Sequence, residues 1–170
     1  MHTADAVYSI FTITDEEYIA KAFTTYVRPL IEYCPQIWSP HYLKYISLVE
    51  NVQRRFTKHI PSIKNLPYPT RLSRLGLISL ELRRRHFDLF TCFRILNHSL
   101  HTGSYSFFSF RPHNITRGHA FMLYPPAAHT DVCKFSFFSR VISYWNSLPS
   151  SVVSACSLSS FKSHVKQLSS

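Results

Sequence analysis

The stretch Tyr26-Val27-Arg28-Pro29-Leu30-Ile31-Glu32-Tyr33-Cys34, continuing through Ile37-Trp38-Ser39-Pro40 to Gln53-Arg54-Arg55-Phe56 and Ile60-Pro61, decides the fold. Ser39-Pro40 has the chemistry of a helix start. A serine oxygen accepts from orphaned amides, and proline at the first helical position gives up no hydrogen bond. At 100° per residue, Ile46, Val49, Val52, Phe56 and Ile60 fall within an arc of about 120°. Lys44, Arg54, Arg55 and Lys58 fall within an opposing arc of about 100°. The helix expected up to Ile60 therefore has a core face and a cationic face.

Working outward, Met1 to Ile13 has no strong period and reads as an irregular lead-in. Thr14-Asp15-Glu16-Glu17 forms a capping box, with Thr14 as N-cap and Glu17 reaching back. The helix it opens presents Ile19, Ala22, Phe23, Tyr26 and Leu30 on one side, and Pro29 predicts a kink or an end within it. Pro35 and Pro40 bracket a short connector, so the first two helices are expected to fold back on each other. Downstream, Pro67 and Pro69 restart a short helical turn over Thr70 to Leu75, with Gly76 as a left-handed cap. Ser79 caps a longer helix from Leu80 to about His98. Phe121 to Tyr124 and Val132 to Phe135 read as two short strands of a hairpin separated by Pro125-Pro126. Phe138, Val141, Ile142, Trp145 and Leu148 then recur at helical spacing until Pro149. Ser157 caps a last helix with Leu158, Phe161, Val165 and Leu168 on a narrow stripe.

These patterns predict a mainly α fold of antiparallel helices in one domain with a small β-hairpin. Three regions are expected: the lead-in 1–13, a helical region 14–100 with the basic face, and a C-terminal segment 101–170 with the hairpin and two docked helices. A length of 170 residues suits one domain, and 45% hydrophobic content supports a packed core.

Several chemistries are excluded. The glycines Gly76, Gly103 and Gly118 are too far apart for a phosphate-binding loop or a dinucleotide fingerprint. Asp5, Asp15, Asp88 and Asp131 are isolated, whereas a two-metal phosphoryl-transfer site needs clustered carboxylates. No catalytic residue, metal ligand or cofactor is assigned. His98-x-x-His101 lacks further ligands at conventional spacing and reads as two polar histidines near a helix end. Cys34, Cys92, Cys133 and Cys156 form no Cys-x-x-Cys pair, and Cys34 and Cys92 read as inert core residues. Every apolar run is broken well short of the ~20 residues a membrane span requires. No signal peptide is written at the start, so an intracellular compartment is expected.

The positive signal is charge. Nineteen Lys and Arg stand against nine acids, a net +10. From Lys44 to Arg94 there are eleven cations against Glu50, Glu81 and Asp88, a net +8. Arg54, Arg55 and Lys58 share a face, and Arg83-Arg84-Arg85 open a neighbouring helix, although three consecutive residues span about 200° of it. Such a surface neutralises phosphates with little regard to base sequence. For any one of these residues a solvated basic face is the plain alternative. The aromatics Tyr105, Phe107, Phe108 and Phe110 suit either base stacking or core plugging.

Four blocks carry a resemblance. They are Tyr26 to Tyr33 with Trp38-Ser39-Pro40; Val49-Glu50-Asn51-Val52-Gln53-Arg54-Arg55-Phe56-Thr57-Lys58; Arg71-Leu72-x-x-Leu75-Gly76-Leu77 with Leu80-Glu81-x-Arg83-Arg84; and Thr116-Arg117-Gly118-His119, Thr130-Asp131-Val132, Arg140-Val141, Trp145-Asn146-Ser147-Leu148-Pro149 and Ser157-Leu158-x-x-Phe161-Lys162. In order and spacing they resemble the C-terminal region of the endonuclease–reverse transcriptase polyproteins of jockey-like non-LTR (LINE-type) retrotransposons. The resemblance implies thumb-like helices and a post-thumb segment. The palm, with its catalytic Tyr/Phe-x-Asp-Asp turn, would lie upstream and has no counterpart here. Pro67 and Pro69 depart from the family, which usually places a serine cap and acidic residues there.

The implied function is that of a catalytically incomplete fragment of an RNA-directed DNA polymerase, in the nucleus or cytoplasm. It would hold RNA or an RNA–DNA hybrid through Lys44, Arg54, Arg55, Lys58, Arg83, Arg84, Arg85 and Arg117. No membrane or small-molecule partner is expected. The alternative is a protein-interaction module that packs on the missing palm domain without touching nucleic acid.

Overall fold

A computed structural model describes residues 16–97, 108–111 and 119–168. The chain divides into two compact units, Met1–Arg84 and Arg85–Ser170. Among the described residues the structure is mainly helical.

The first unit opens with α1, Glu16–Ala22, a π-helical turn, Phe23–Val27, and α2, Arg28–Glu32. Thr14 of the expected capping box lies outside the described residues. Pro29 acts where its chemistry demands. The backbone widens so that the Arg28 N–H reaches the Phe23 carbonyl. Proline then enters α2 in its first turn, where a missing N–H loses nothing. After α2 come α3, Pro35–Trp38, α4, Leu43–Lys58, α5, Tyr68–Arg74, and α6, Leu80–Leu96.

Two expectations are corrected here. Ser39-Pro40 does not open the long helix: the Ser39 N–H donates to the Pro35 carbonyl and closes α3. Helix α4 starts at Leu43, after an extended Tyr42 with no side-chain cap. The proline that fills a first helical turn is Pro35, not Pro40. Nor is Cys34 a core residue. It is exposed, and it joins α2 to α3 in a left-handed conformation with φ of 46°.

Ile19, Phe23, Val27, Phe56, Ile60 and Ile63 form the core of this unit. The Phe23 and Phe56 ring centres are 4.5 Å apart, which ties the first helical segment to α4. The buried face of α4 is not the one expected. Ile46, Val49 and Val52 are only half-buried, whereas Glu50, Gln53, Phe56 and Thr57 are buried. On a helical wheel the face turns by about 40° toward the polar residues.

Helix α5 ends as its sequence predicts. Gly76 has φ of 61°, its N–H donates to Ser73 O, and the Leu77 N–H donates back to Leu72 O over 2.9 Å. This double closure satisfies the last carbonyls and needs a left-handed residue at Gly76. Ser79 caps α6 as expected, its Oγ accepting from the Leu82 N–H at 3.2 Å.

The second unit holds the remainder of α6 and then α7, Asp131–Lys134, α8, Phe137–Asn146, α9, Ser150–Val153, and α10, Leu158–Leu168. Val141, Ile142, Trp145, Phe161 and Val165 are buried, at the spacings the sequence predicts. Phe161 stacks on Phe93 of α6 with centroids 4.3 Å apart. The Ser157 Oγ accepts from the Ser160 N–H, capping α10. Phe108 is a core plug, edge-on to Phe138. Tyr105, Phe107 and His98-x-x-His101 lie outside the described residues.

The expected hairpin is overturned. Val132 to Phe135 is not a strand, because Thr130 caps α7 there, its side chain accepting from the Cys133 N–H. Leu123 instead makes an isolated antiparallel bridge with Phe110. The flanking residues carry the bonds, Arg111 N–H to Met122 O and Tyr124 N–H to Ser109 O, both 2.8 Å. The N–H and C=O of Leu123 thus point away from Phe110, and both are met by the Asn146 side-chain amide at 2.9 Å. One asparagine at the end of α8 replaces a third strand. Beside it the Trp145 indole donates to Phe121 O, and His119 bridges Trp145 O and the Phe121 N–H. Asp88 is buried and takes two bonds from Arg140, at 2.8 and 3.0 Å.

Candidate nucleic-acid interface

Helix α4 positions the first four expected contacts. Lys44, Arg54, Arg55 and Lys58 are all exposed. At 1.5 Å per residue, Lys44 and Lys58 stand about 21 Å apart along the axis. The Lys44 ammonium lies 6.0 Å from the centre of the Tyr45 ring, and the Arg54 guanidinium lies 4.8 Å from that of Tyr68. Both cations therefore rest on aromatic faces that still leave them accessible. Between Tyr33 and Pro61 the sequence holds a single carboxylate, Glu50. It is turned inward and only 7% exposed. The solvent side of this stretch thus carries cations with no compensating anion.

Glu50 has its own work inside the unit. One carboxylate oxygen accepts from the Leu80 and Glu81 amides, at 3.0 and 3.3 Å. These are orphan donors of the first turn of α6, where a negative charge also meets the positive end of the helix dipole. The other oxygen accepts from the Tyr68 hydroxyl. Gln53 donates to that hydroxyl and to the Ile78 carbonyl, each at 3.1 Å. Burial, and then the bond to Glu50, raise the Tyr68 phenol well above its ordinary range, so it stays a neutral donor. Arg71 is 5% exposed, lies 5.5 Å from the Tyr68 ring centre, and donates to the Arg54 carbonyl at 3.2 Å. The ring and the two guanidiniums fix the Arg54 end of the cationic face. None of Glu50, Gln53, Tyr68 and Arg71 stood out as functional in the sequence. Glu50, Gln53 and Thr57 do recur at helical spacing, which was the available signal.

The other predicted contacts separate. Arg83 is held by Glu32, with Nε on one carboxylate oxygen and the second bond at 2.9 Å. Arg84 is 3% exposed. Arg85 is exposed and lies over Tyr144 at 5.2 Å. Three consecutive arginines therefore occupy three environments, as the 100° turn per residue requires. Arg117 lies outside the described residues.

Among the described residues no three His, Cys, Asp or Glu side chains gather as a metal site requires. No helix there is long and apolar enough to cross a membrane. No protein-family model, curated protein or solved structure matches this chain.

Proposed function

We propose that the chain is the C-terminal, catalytically incomplete part of a retrotransposon RNA-directed DNA polymerase, and that it holds template and primer through their phosphates. The sequence blocks above motivate the parentage. The observation that carries the binding reading is the solvent face of α4, where Lys44, Arg54, Arg55 and Lys58 are exposed while Glu50 is turned inward. Phosphate contacts of this kind position a nucleic acid without reading its bases.

The test is binding of an RNA–DNA hybrid across a salt series. Three or four phosphate contacts predict an affinity loss of about 40- to 150-fold between about 50 and 200 mM salt. The combined substitution Arg54→Glu, Arg55→Glu and Lys58→Glu lowers affinity for all base sequences alike and flattens the salt slope by about three. Affinity indifferent to salt would remove the proposal.

One observation favours a second reading, a protein-docking module once seated on the palm. Leu30, Ile37, Leu43 and Leu48 are 63%, 85%, 80% and 61% exposed. Aliphatic surface of this kind marks interaction sites. Under this reading the chain self-associates across a dilution series in sedimentation, and the glutamate variant leaves that behaviour unchanged.

A further inference from the structure

At the start of α4, beside Lys44, lies a run of exposed rings. The His41 and Tyr42 ring centres are 4.0 Å apart, and those of Tyr42 and Tyr45 are 6.2 Å apart. Tyr42 is 56% and Tyr45 51% exposed, so these rings are not spent on a core. Lys44 lies between them in sequence and places its ammonium over the Tyr45 ring. From here to Lys58 the exposed charge is cationic throughout, because the carboxylate of Glu50 is buried.

We infer that Tyr42 and Tyr45 are a stacking platform for unpaired bases, so that this end of α4 takes single-stranded nucleic acid in preference to a duplex. The inference rests on the phosphate-binding reading and adds the strandedness of the ligand. In a duplex the base faces are covered by their neighbours, and exposed rings gain nothing from it. A single strand offers bare faces to the rings while its phosphates follow the cations, a pairing that tolerates any sequence. Charge complementarity selects this occupant over an apolar protein surface, which would bring no anion to the exposed Lys44, Arg54, Arg55 and Lys58.

The test compares a labelled single strand of about 12 nucleotides, a site size one stacking module covers, with the matching duplex, on the full chain. The pair Tyr42→Ala and Tyr45→Ala is expected to weaken single-strand binding about tenfold or more and to leave duplex binding within about twofold. The pair Tyr42→Phe and Tyr45→Phe keeps the rings and restores binding. Ultraviolet cross-linking of the wild-type chain to the single strand should map to Tyr42 or Tyr45. Both residues are half exposed, and circular dichroism checks that the variants stay folded.

Outcomes separate the two layers of the reading. Equal wild-type affinity for both ligands, or alanine variants that weaken neither or both alike, overturns the platform and leaves phosphate binding standing. A wild-type chain that binds neither ligand overturns both. Alanine variants that change the association state of the protein instead of its RNA affinity assign the rings to a protein interface, and the inference fails.

Discussion

Glu50 shows how a single side chain organises the first unit. Its carboxylate, only 7% exposed, satisfies two amides at the start of α6 and the Tyr68 hydroxyl. Removing it strands those donors, and a buried donor without a partner is costly. Glu50→Ala is therefore expected to destabilise the chain by about 2–3 kcal/mol in urea unfolding, with Glu50→Gln losing less because an acceptor oxygen remains. A change under about 1 kcal/mol would mean that water replaces the carboxylate. In the sequence Glu50 counts against the cations and shares helical spacing with Gln53 and Thr57, but nothing local names its partners. Its role depends on Tyr68 and Leu80 arriving from 18 and 30 residues away. The pairing of Arg83 is hidden for the same reason, since its partner Glu32 is 51 residues upstream. Charge can be counted along a chain; pairing across it cannot.

Elements were legible where local chemistry is sufficient. Ser79 and Ser157 cap the helices they were expected to cap, and Gly76 ends α5. These signals act within a few residues and no distant contact competes with them. The same logic explains the misread elements. Val132 to Phe135 has strand-like composition, but Thr130 just ahead supplies a helix cap, and the cap prevails over the weak β preference. The partner of Leu123 is Phe110, with Asn146 on its other side, and no local pattern announces an asparagine that substitutes for a strand. The sequence identifies α4 as an element but not its rotation, because its apolar arc is not the arc that is buried. Gly76 provides the test at this scale. A Cβ there would touch nothing within 4 Å, so the penalty for Gly76→Ala is purely that of a left-handed backbone at φ of 61°. The expected loss is about 1–2 kcal/mol by urea unfolding, with Gly76→Asn intermediate. A neutral alanine would show that α5 can end another way.

At the scale of the molecule, the described residues form one apolar core around Phe23 and Phe56 and another around Phe93, Trp145 and Phe161. The cysteines offer a way to follow the second core alone. Cys34, Cys133 and Cys156 are exposed, whereas Cys92 is 0% exposed on α6, within the second core. Burial, and then the nearby Asp88 carboxylate, push the Cys92 thiol far above its ordinary range. The thiolate is the reactive form, so Cys92 reacts only when the second unit opens. The sign of the pH effect follows. Below the ordinary thiol pKa of about 8.5 both folded and unfolded chains keep Cys92 protonated, and its contribution to stability is fully present. Above it the unfolded chain ionises and the folded chain does not, so stability of the second unit declines as pH rises further. A thiol reagent at neutral pH is expected to modify three cysteines at once and the fourth slowly, at a rate set by unfolding. Denaturant should accelerate only the fourth. Mass spectrometry after digestion identifies the slow site, and prompt modification of Cys92 would mean that the second core is open to solvent without unfolding.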